Sequence, residues 1–351
     1  MKLMVQEISF LKSPPFKKMQ KIFPDGKLGR KISKWYLSQG RHDLPWRKNI
    51  SAYRVWISEI MLQQTQVITV IPFFKRFMHS FPTMKSFLTA SEEEILALWS
   101  GLGYYRRARN IFQAKEIIRN SYKGNFPRNF DDLLSLPGIG RSTGGAIASI
   151  AYNQPFPILD TNVKRVLFRT HAIKGNAKEK ELWDLATSIQ DRKDLFSYAQ
   201  GIMDLGANIC LRDEPKCKKC PLNRDCLSAF KASKAMPVKK QINKKQIQLH
   251  FYLFIDQENF LVQKNNELSI WSGLWLLPTQ IPKNYVNNFK KLTEKSIKHQ
   301  LSHRTLNITF TICKMETLVN PETNHECKAV RIKEFSNLGM PKPITELIKG
   351  L

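Results

Sequence analysis

The chain has 351 residues, 42% of them hydrophobic, enough for two domains with apolar cores, which excludes a disordered polymer. Its 56 Lys and Arg against 29 Asp and Glu give a formal net charge of +27, far beyond what solubility requires. A polyanionic partner is therefore expected, nucleic acid first, although codon bias toward Lys, Asn and Ile in an AT-rich genome accounts for part of the excess. No apolar run is long enough to span a bilayer and the N-terminus carries no small-residue cleavage site, so the expectation is a cytosolic protein without a membrane anchor.

Residues 1–26 lack sustained periodicity and read as a loosely held extension. From 27 to 228 apolar residues recur at helical spacing, punctuated by loops rich in Gly, Pro or Asn, with almost no alternation; this predicts an all-helical body. Within it, Val55-Trp-Ile-Ser-Glu-Ile-Met-Leu-Gln-Gln-Thr-Gln66 carries a single acid, Glu59, on an otherwise apolar helix. An exposed charge would explain it, but Val55, Trp56, Leu62 and Gln63 in helical register put part of this surface in a core or cleft, where a carboxyl's pKa rises. Ser91-Glu-Glu-Glu94 is a capping box opening a helix that should end near Gly101-Leu-Gly103. Leu136-Pro-Gly-Ile-Gly140 is a tight turn, with Gly138 and Gly140, before an apolar helix whose first amides suit a phosphate; an ordinary turn between helices has the same pattern. Asp160 follows the apolar run Pro157-Ile-Leu159 at the mouth of the next helix, with Asn162, Lys164 and Arg165 around it. It reads as an N-cap whose remaining oxygen can face a substrate.

Between Cys210 and Cys226 four cysteines and five Arg or Lys residues share seventeen positions. Disulfides, a zinc knot and an iron–sulfur cluster all use four cysteines, and a reducing cytosol argues against the disulfides. Residues 229–246 are polar and basic and read as a linker. After it, Leu249–Ile255, Phe260–Val262 and Thr309–Ile312 are β-rich, while 284–292 and 344–351 read as helices, so residues 247–351 form a small α+β domain. Cys313 and Cys327 have no pairing signal and read as core or surface thiols.

Taken together, the hairpin, its helix and Asp160 resemble the helix-hairpin-helix superfamily of DNA base-excision glycosylases, and Glu59 and the cysteine array resemble its MutY family, over about residues 30–345. The resemblance implies that the hairpin grips DNA backbone beside a flipped base and that Asp160, with Asn162 beside it, opposes positive charge developing on the sugar. The cysteine spacing is similar to that family's [4Fe–4S] loop, which makes Cys210, Cys217, Cys220 and Cys226 the cluster ligands and the basic residues among them a phosphate-binding surface. Glu59 would be the acid that starts base departure. Ser142 stands where the endonuclease III branch carries a nucleophilic lysine, which implies a monofunctional enzyme that activates water. Leu44-Pro-Trp46-Arg47 looks like the opening of the adenine pocket, Gln63 and Gln64 like residues that wedge into the duplex, and Tyr104 in Gly101–Tyr105 like an inserted aromatic.

The last domain resembles the Nudix-like module of that family, with Trp271–Pro278 near its start and Leu301, Ser302 and His303 similar to its 8-oxoguanine-reading loop. No acidic Nudix box follows Pro278, so pyrophosphatase chemistry is not expected. Thr161, Leu301 and His42 depart from the usual residues of the family. The implied protein is a monomeric, bacterial-type, nucleoid-associated adenine glycosylase acting on double-stranded DNA with A:8-oxoguanine or A:G mispairs. The alternatives are an endonuclease III-like glycosylase and lyase for oxidised pyrimidines, and a non-catalytic iron–sulfur DNA-binding protein.

Overall fold

The computed structural model describes residues 26–231 and 244–351, apart from 174, 176, 302, 320, 324 and 325. The sequence's helices appear in order as α1 (Lys27–Gln39), α2 (Ala52–Leu62), α3 (Val67–Ser80), α4 (Met84–Leu88), α5 (Glu92–Trp99), α6 (Arg106–Ser121), α7 (Phe130–Ser135), α8 (Arg141–Tyr152), α9 (Thr161–Thr170), α10 (Glu179–Ser188) and α11 (Leu195–Asp204). Contacts divide the described residues into two compact units, 26–63 with 126–231, and 64–125 with 244–351.

In the first unit α2 is the central helix. Trp56, Ile57, Ile60 and Met61 are all but inaccessible, and Tyr53 and Val55 are buried as well. A helix apolar on most sides has to be largely surrounded, and α2 packs along α8 while α1 packs along α11. At the end of α11, Asp204 is fully buried and accepts from Arg41 (backbone N 2.9 Å, Nε 2.9 Å) and from Arg47 (Nη1 2.7 Å, Nη2 2.9 Å). Burial alone would raise the pKa of this acid, but the two guanidiniums hold it below the ordinary aspartate value. One carboxylate thus fixes the segment between α1 and α2 to the end of α11.

In the second unit, helices α3 to α6 close over Phe77, Phe81 and Phe87, whose rings lie 5.5–5.6 Å apart. The capping box is present: Glu94 N donates to Ser91 Oγ at 3.2 Å, and Ser91 N to Glu94 Oε2 at 2.8 Å. The C-terminal part of this unit is a six-stranded sheet, β1 (Lys245–Ile255), β2 (Asn259–Lys264), β3 (Trp275–Leu276), β4 (Lys290–Gln300), β5 (Arg304–Lys314) and β6 (Cys327–Arg331), in the order β3-β2-β1-β5-β4 with β6 on β2. Strands β1 and β5 run parallel, Phe251 opposite Phe310, and the other pairs are antiparallel. Helix α12 (Lys342–Ile348) completes the unit.

Two expectations need correction. Residues 284–292 are not a helix: a 3-10 turn at Lys283–Tyr285 gives way to Asn287 at φ 69°, and β4 starts at Lys290. Asparagine tolerates this left-handed conformation, which ends a helix, and pairing with β5 holds β4 although its side chains are mostly exposed. The second correction is that the sheet begins at Lys245, inside the stretch read as linker, because the paired β5 carries the strand beyond its own apolar run. Residues 1–25 of the expected extension and 232–243 of the linker lie outside the described residues.

Removing Asp204 leaves the buried Arg47 guanidinium and the partly buried Arg41 guanidinium without their shared carboxylate. Asp204→Ala is therefore expected to lower stability by about 3–5 kcal/mol, with Asp204→Asn losing less because it keeps one acceptor; urea unfolding of the full chain measures both.

Candidate active site

Glu59 sits on α2 as the acid of an apolar helix, started by Ser51, whose side chain accepts from Arg54 N at 3.3 Å. Its carboxyl is pushed up to about 7, first by burial and then by the negative charge of Asp160, against an opposing pull from Arg47. At neutral pH a substantial fraction of Glu59 is thus the neutral acid, able to donate a proton.

Asp160 is built by α8 and by the extended chain before α9. Along one side of α8, Ser142 Oγ accepts from Leu159 N at 3.1 Å, Gly145 lies against the Pro157 carbonyl and Ser149 Oγ donates to the Phe156 carbonyl at 2.6 Å. A Cβ on residue 145 would stand 2.2 Å from the Pro157 oxygen, so only glycine lets the two backbones meet. These three positions, spaced as i, i+3 and i+7, cradle the chain that delivers Asp160 to the start of α9. There Asp160 is the N-cap: Oδ1 accepts from Val163 N at 2.7 Å and Oδ2 from Asn162 Nδ2 at 3.3 Å. The turn before α8 has Gly138 at φ 86°, and Gly140 is the residue preceding the helix. Gln63 Nε2 donates to the Gly138 carbonyl and to Thr143 Oγ1, both at 3.4 Å, tying the end of α2 to this turn.

A second set of bonds runs from Asp160 toward the cysteines. Asn162 Oδ1 accepts from Arg165 Nη2 at 2.9 Å, and Arg165 donates onward to the carbonyls of Gly206 (2.6 Å) and Cys210 (2.7 Å). Arg169, one turn later, donates to the Arg212 carbonyl at 2.5 Å, to the Leu211 carbonyl, and to Cys210 Sγ at 3.5 Å. One cavity is lined by all four thiols, Cys210, Cys217, Cys220 and Cys226, together with apolar Val166, Leu205, Ile209 and Leu222. Burial, compounded by the neighbouring thiols, pushes Cys220 up to about 12 and raises Cys226. Ionised thiols in such a cavity require a cation to compensate them, so the donor set fits a thiolate-bound metal group. The four thiols share this cavity without closing on a single point: among the described residues no three His, Cys, Asp or Glu side chains are placed to hold one metal ion between them. Around the cavity Arg212, Lys216, Lys218, Lys219 and Arg224 are exposed, while Asp225 pairs with Lys27 (3.4 Å) and Lys31 on α1.

The remaining expected residues are distributed as follows. Trp46 is 6% exposed, and Arg47 is bonded to Asp204 and to the Arg41 carbonyl (2.8 Å), so both stand inside the first unit. Gln64 is exposed at φ 57° and Tyr104 is 43% exposed at φ 51°, each on a turn of the second unit. Between β4 and β5, Leu301 N donates to the Arg304 carbonyl at 2.8 Å and His303 is exposed; Ser302 lies outside the described residues. Gly145, Ser149, Arg169 and Asp204 escaped the sequence reading. The Ser142, Gly145, Ser149 spacing was the available signal for two of them; for Arg169 and Asp204 there was none.

Residues 57–189 match the family described as HhH-GPD superfamily base excision DNA repair protein, and residues 250–350 match the NUDIX domain. An adenine DNA glycosylase of Buchnera aphidicola subsp. Acyrthosiphon pisum is 39% identical over 91% of this chain and 96% of its own length. One from Homo sapiens is 40% identical over 55% of this chain and 37% of its own. Among solved structures, a thermostable thymine-DNA glycosylase is similar with a TM-score of 0.53 at 27% identity, covering 62% of this chain and 99% of that one. Endonuclease III in a non-covalent complex with DNA shares the fold with a TM-score of 0.50 at 23% identity, covering 62% of this chain and 97% of that one.

A carboxyl whose pKa is raised on folding binds its proton more tightly in the native state. Its contribution to stability is complete below about 4.5 and is lost as the pH rises through about 7. Glu59→Gln has no proton to lose, so its melting temperature relative to wild type should rise between about pH 4.5 and pH 8. A difference that stays flat across that window would contradict the raised pKa.

Proposed function

The chain belongs to the adenine DNA glycosylase family, and on that premise we propose that it removes adenine paired with 8-oxoguanine, or with guanine, and leaves the DNA strand intact. The observation that carries this reading is the placement of Glu59 on the packed helix α2, where burial pushes its carboxyl up to about 7, in the same unit as the capping aspartate Asp160.

The chemistry follows from the two acids. Neutral Glu59 donates its proton to a ring nitrogen of the adenine, so that the electrons of the breaking bond between sugar and base are accepted by a neutral leaving group. Positive charge then grows on the sugar, and the Asp160 carboxylate opposes it; the bonds from Val163 N and Asn162 Nδ2 leave that carboxylate with lone pairs to spare. Water adds to the sugar carbon, its proton passes to a carboxylate, and an abasic site remains. The Ser142 hydroxyl accepts from Leu159 N and carries no amine, so no Schiff base forms and no strand cleavage follows.

The four cysteines would hold a [4Fe–4S] cluster, supported by the cavity that touches all four thiols. When bound, the cluster supplies a staple for the loop 210–226, whose exposed basic residues suit phosphates. In the second unit, Gln64 and Tyr104, exposed on turns with left-handed backbone, are the residues proposed to enter the duplex, and the β4–β5 connection with Leu301, Ser302 and His303 is proposed to read the base opposite adenine.

Three outcomes test this reading. Single-turnover excision of adenine should fall as the pH rises through about 7, and Glu59→Gln should bind mispaired duplex yet lose activity about a hundredfold or more. The wild-type product should break only after alkali, whereas Ser142→Lys should be trapped on DNA by borohydride; trapping of wild type at the rate of base release would place it with the lyases. Purified protein should carry about four irons per chain, and an active protein with one zinc would refute the cluster.

A further inference from the structure

Helix α5 joins the C-terminal sheet region to the turn that bears Tyr104. Three positions on one face of this helix and its end, residues 93, 96 and 100, meet residues from beyond position 270. At the start, Glu93 Oε1 accepts from Trp275 Nε1 at 2.7 Å and from Lys328 Nζ at 3.1 Å. In the middle, Leu96 lies directly on Gly339, whose carbonyl accepts from Trp275 N at 3.0 Å. At the end, the Met340 carbonyl accepts from both Ser100 Oγ (2.8 Å) and Tyr105 OH (2.9 Å). Spacings of three and four residues keep these contacts on one side of a helix.

The last contact brackets the Tyr104 turn. Tyr105 is buried, and its hydroxyl also accepts from Gly101 N at 3.2 Å, so one phenol links the first residue of the turn to Met340. Inside the bracket the Gly103 carbonyl accepts from Trp99 Nε1 and from Arg107 Nη2, each at 3.1 Å, and the Arg107 guanidinium lies 5.2 Å from the centre of the Tyr104 ring. The backbone of Gly101, Gly103 and Tyr104 is in the left-handed region throughout, a conformation that needs fixed bonds to persist on a side chain as large as tyrosine. Two of those bonds end on a carbonyl of the C-terminal region.

We propose that Ser100 and Tyr105 are positioning residues through which the C-terminal region, gripping α5, holds the Tyr104 turn in the shape that enters DNA. This rests on the proposed role of Tyr104. It adds that the region expected to read the opposite base also governs unstacking beside the target adenine.

The test uses the full chain and a duplex with 2-aminopurine beside an adenine opposite 8-oxoguanine, the fluorescence of the analogue reporting unstacking. Tyr104→Ala should abolish the signal. Ser100→Ala with Tyr105→Phe, which keeps both rings and every charge, should reduce it at least about fivefold, with faster amide exchange confined to residues 100–105. Ser100→Ala alone should give an intermediate loss, which keeps the test valid if the double variant folds poorly. If Tyr104→Ala abolishes the signal and the Ser100 and Tyr105 variants stay within about twofold of wild type, the coupling is wrong although the role of Tyr104 stands. If Tyr104→Ala itself leaves the signal unchanged, both fall.

Discussion

An acid placed on a helix that packs into the core on most of its sides is expensive to ionise, and that single constraint organises the first unit. The packing that makes α2 a central helix, with Trp56, Ile57, Ile60 and Met61 sealed around it, also raises Glu59. Fold and reactivity therefore share one cause. Repacking that opened α2 to water would release the proton from Glu59 before any catalytic group was altered, because burial is the larger of the two causes of its shift and the charge of Asp160 the smaller.

The second carboxylate is treated in the opposite way. Asp160 is given hydrogen-bond donors by its own helix and by Asn162, and its backbone approach is fixed on α8 by a serine, a glycine and a second serine. The contrasting surroundings of the two acids suit the proposed division into a proton donor and a charge stabiliser. The same helix start is continuous with the cysteine loop through Asn162, Arg165 and the Cys210 carbonyl. Whatever orders Cys210 therefore also orders the residue beside Asp160.

Much of this was legible in the sequence because the signals were local. The capping box at Ser91, the glycine turn at 138–140, the N-cap at Asp160 and the lone acid at Glu59 are each determined within one helical turn, and each is found where the spacing puts it. What escaped depended on partners far away in the chain. The bond from Arg47 to Asp204 joins residues separated by 157 positions, and nothing local to either announces it. Strand β4 starts inside the stretch 284–292 that reads as a helix, and pairing with β5 holds its exposed, lysine-rich sequence as a strand. The grip on α5 through Trp275, Gly339 and Met340 is likewise invisible, since two of its bonds are to a backbone carbonyl that no residue type announces.

The central claim is that Glu59 is a neutral acid near pH 7, and infrared difference spectroscopy of wild type against Glu59→Gln reads that state directly. The carbonyl stretch of the neutral carboxyl should be present in the difference spectrum of the full chain under mildly acidic conditions and disappear with a midpoint at about 7. A band already absent one unit above the ordinary glutamate value of about 4.3 would contradict the account, since Glu59 would then be a carboxylate with no proton to give.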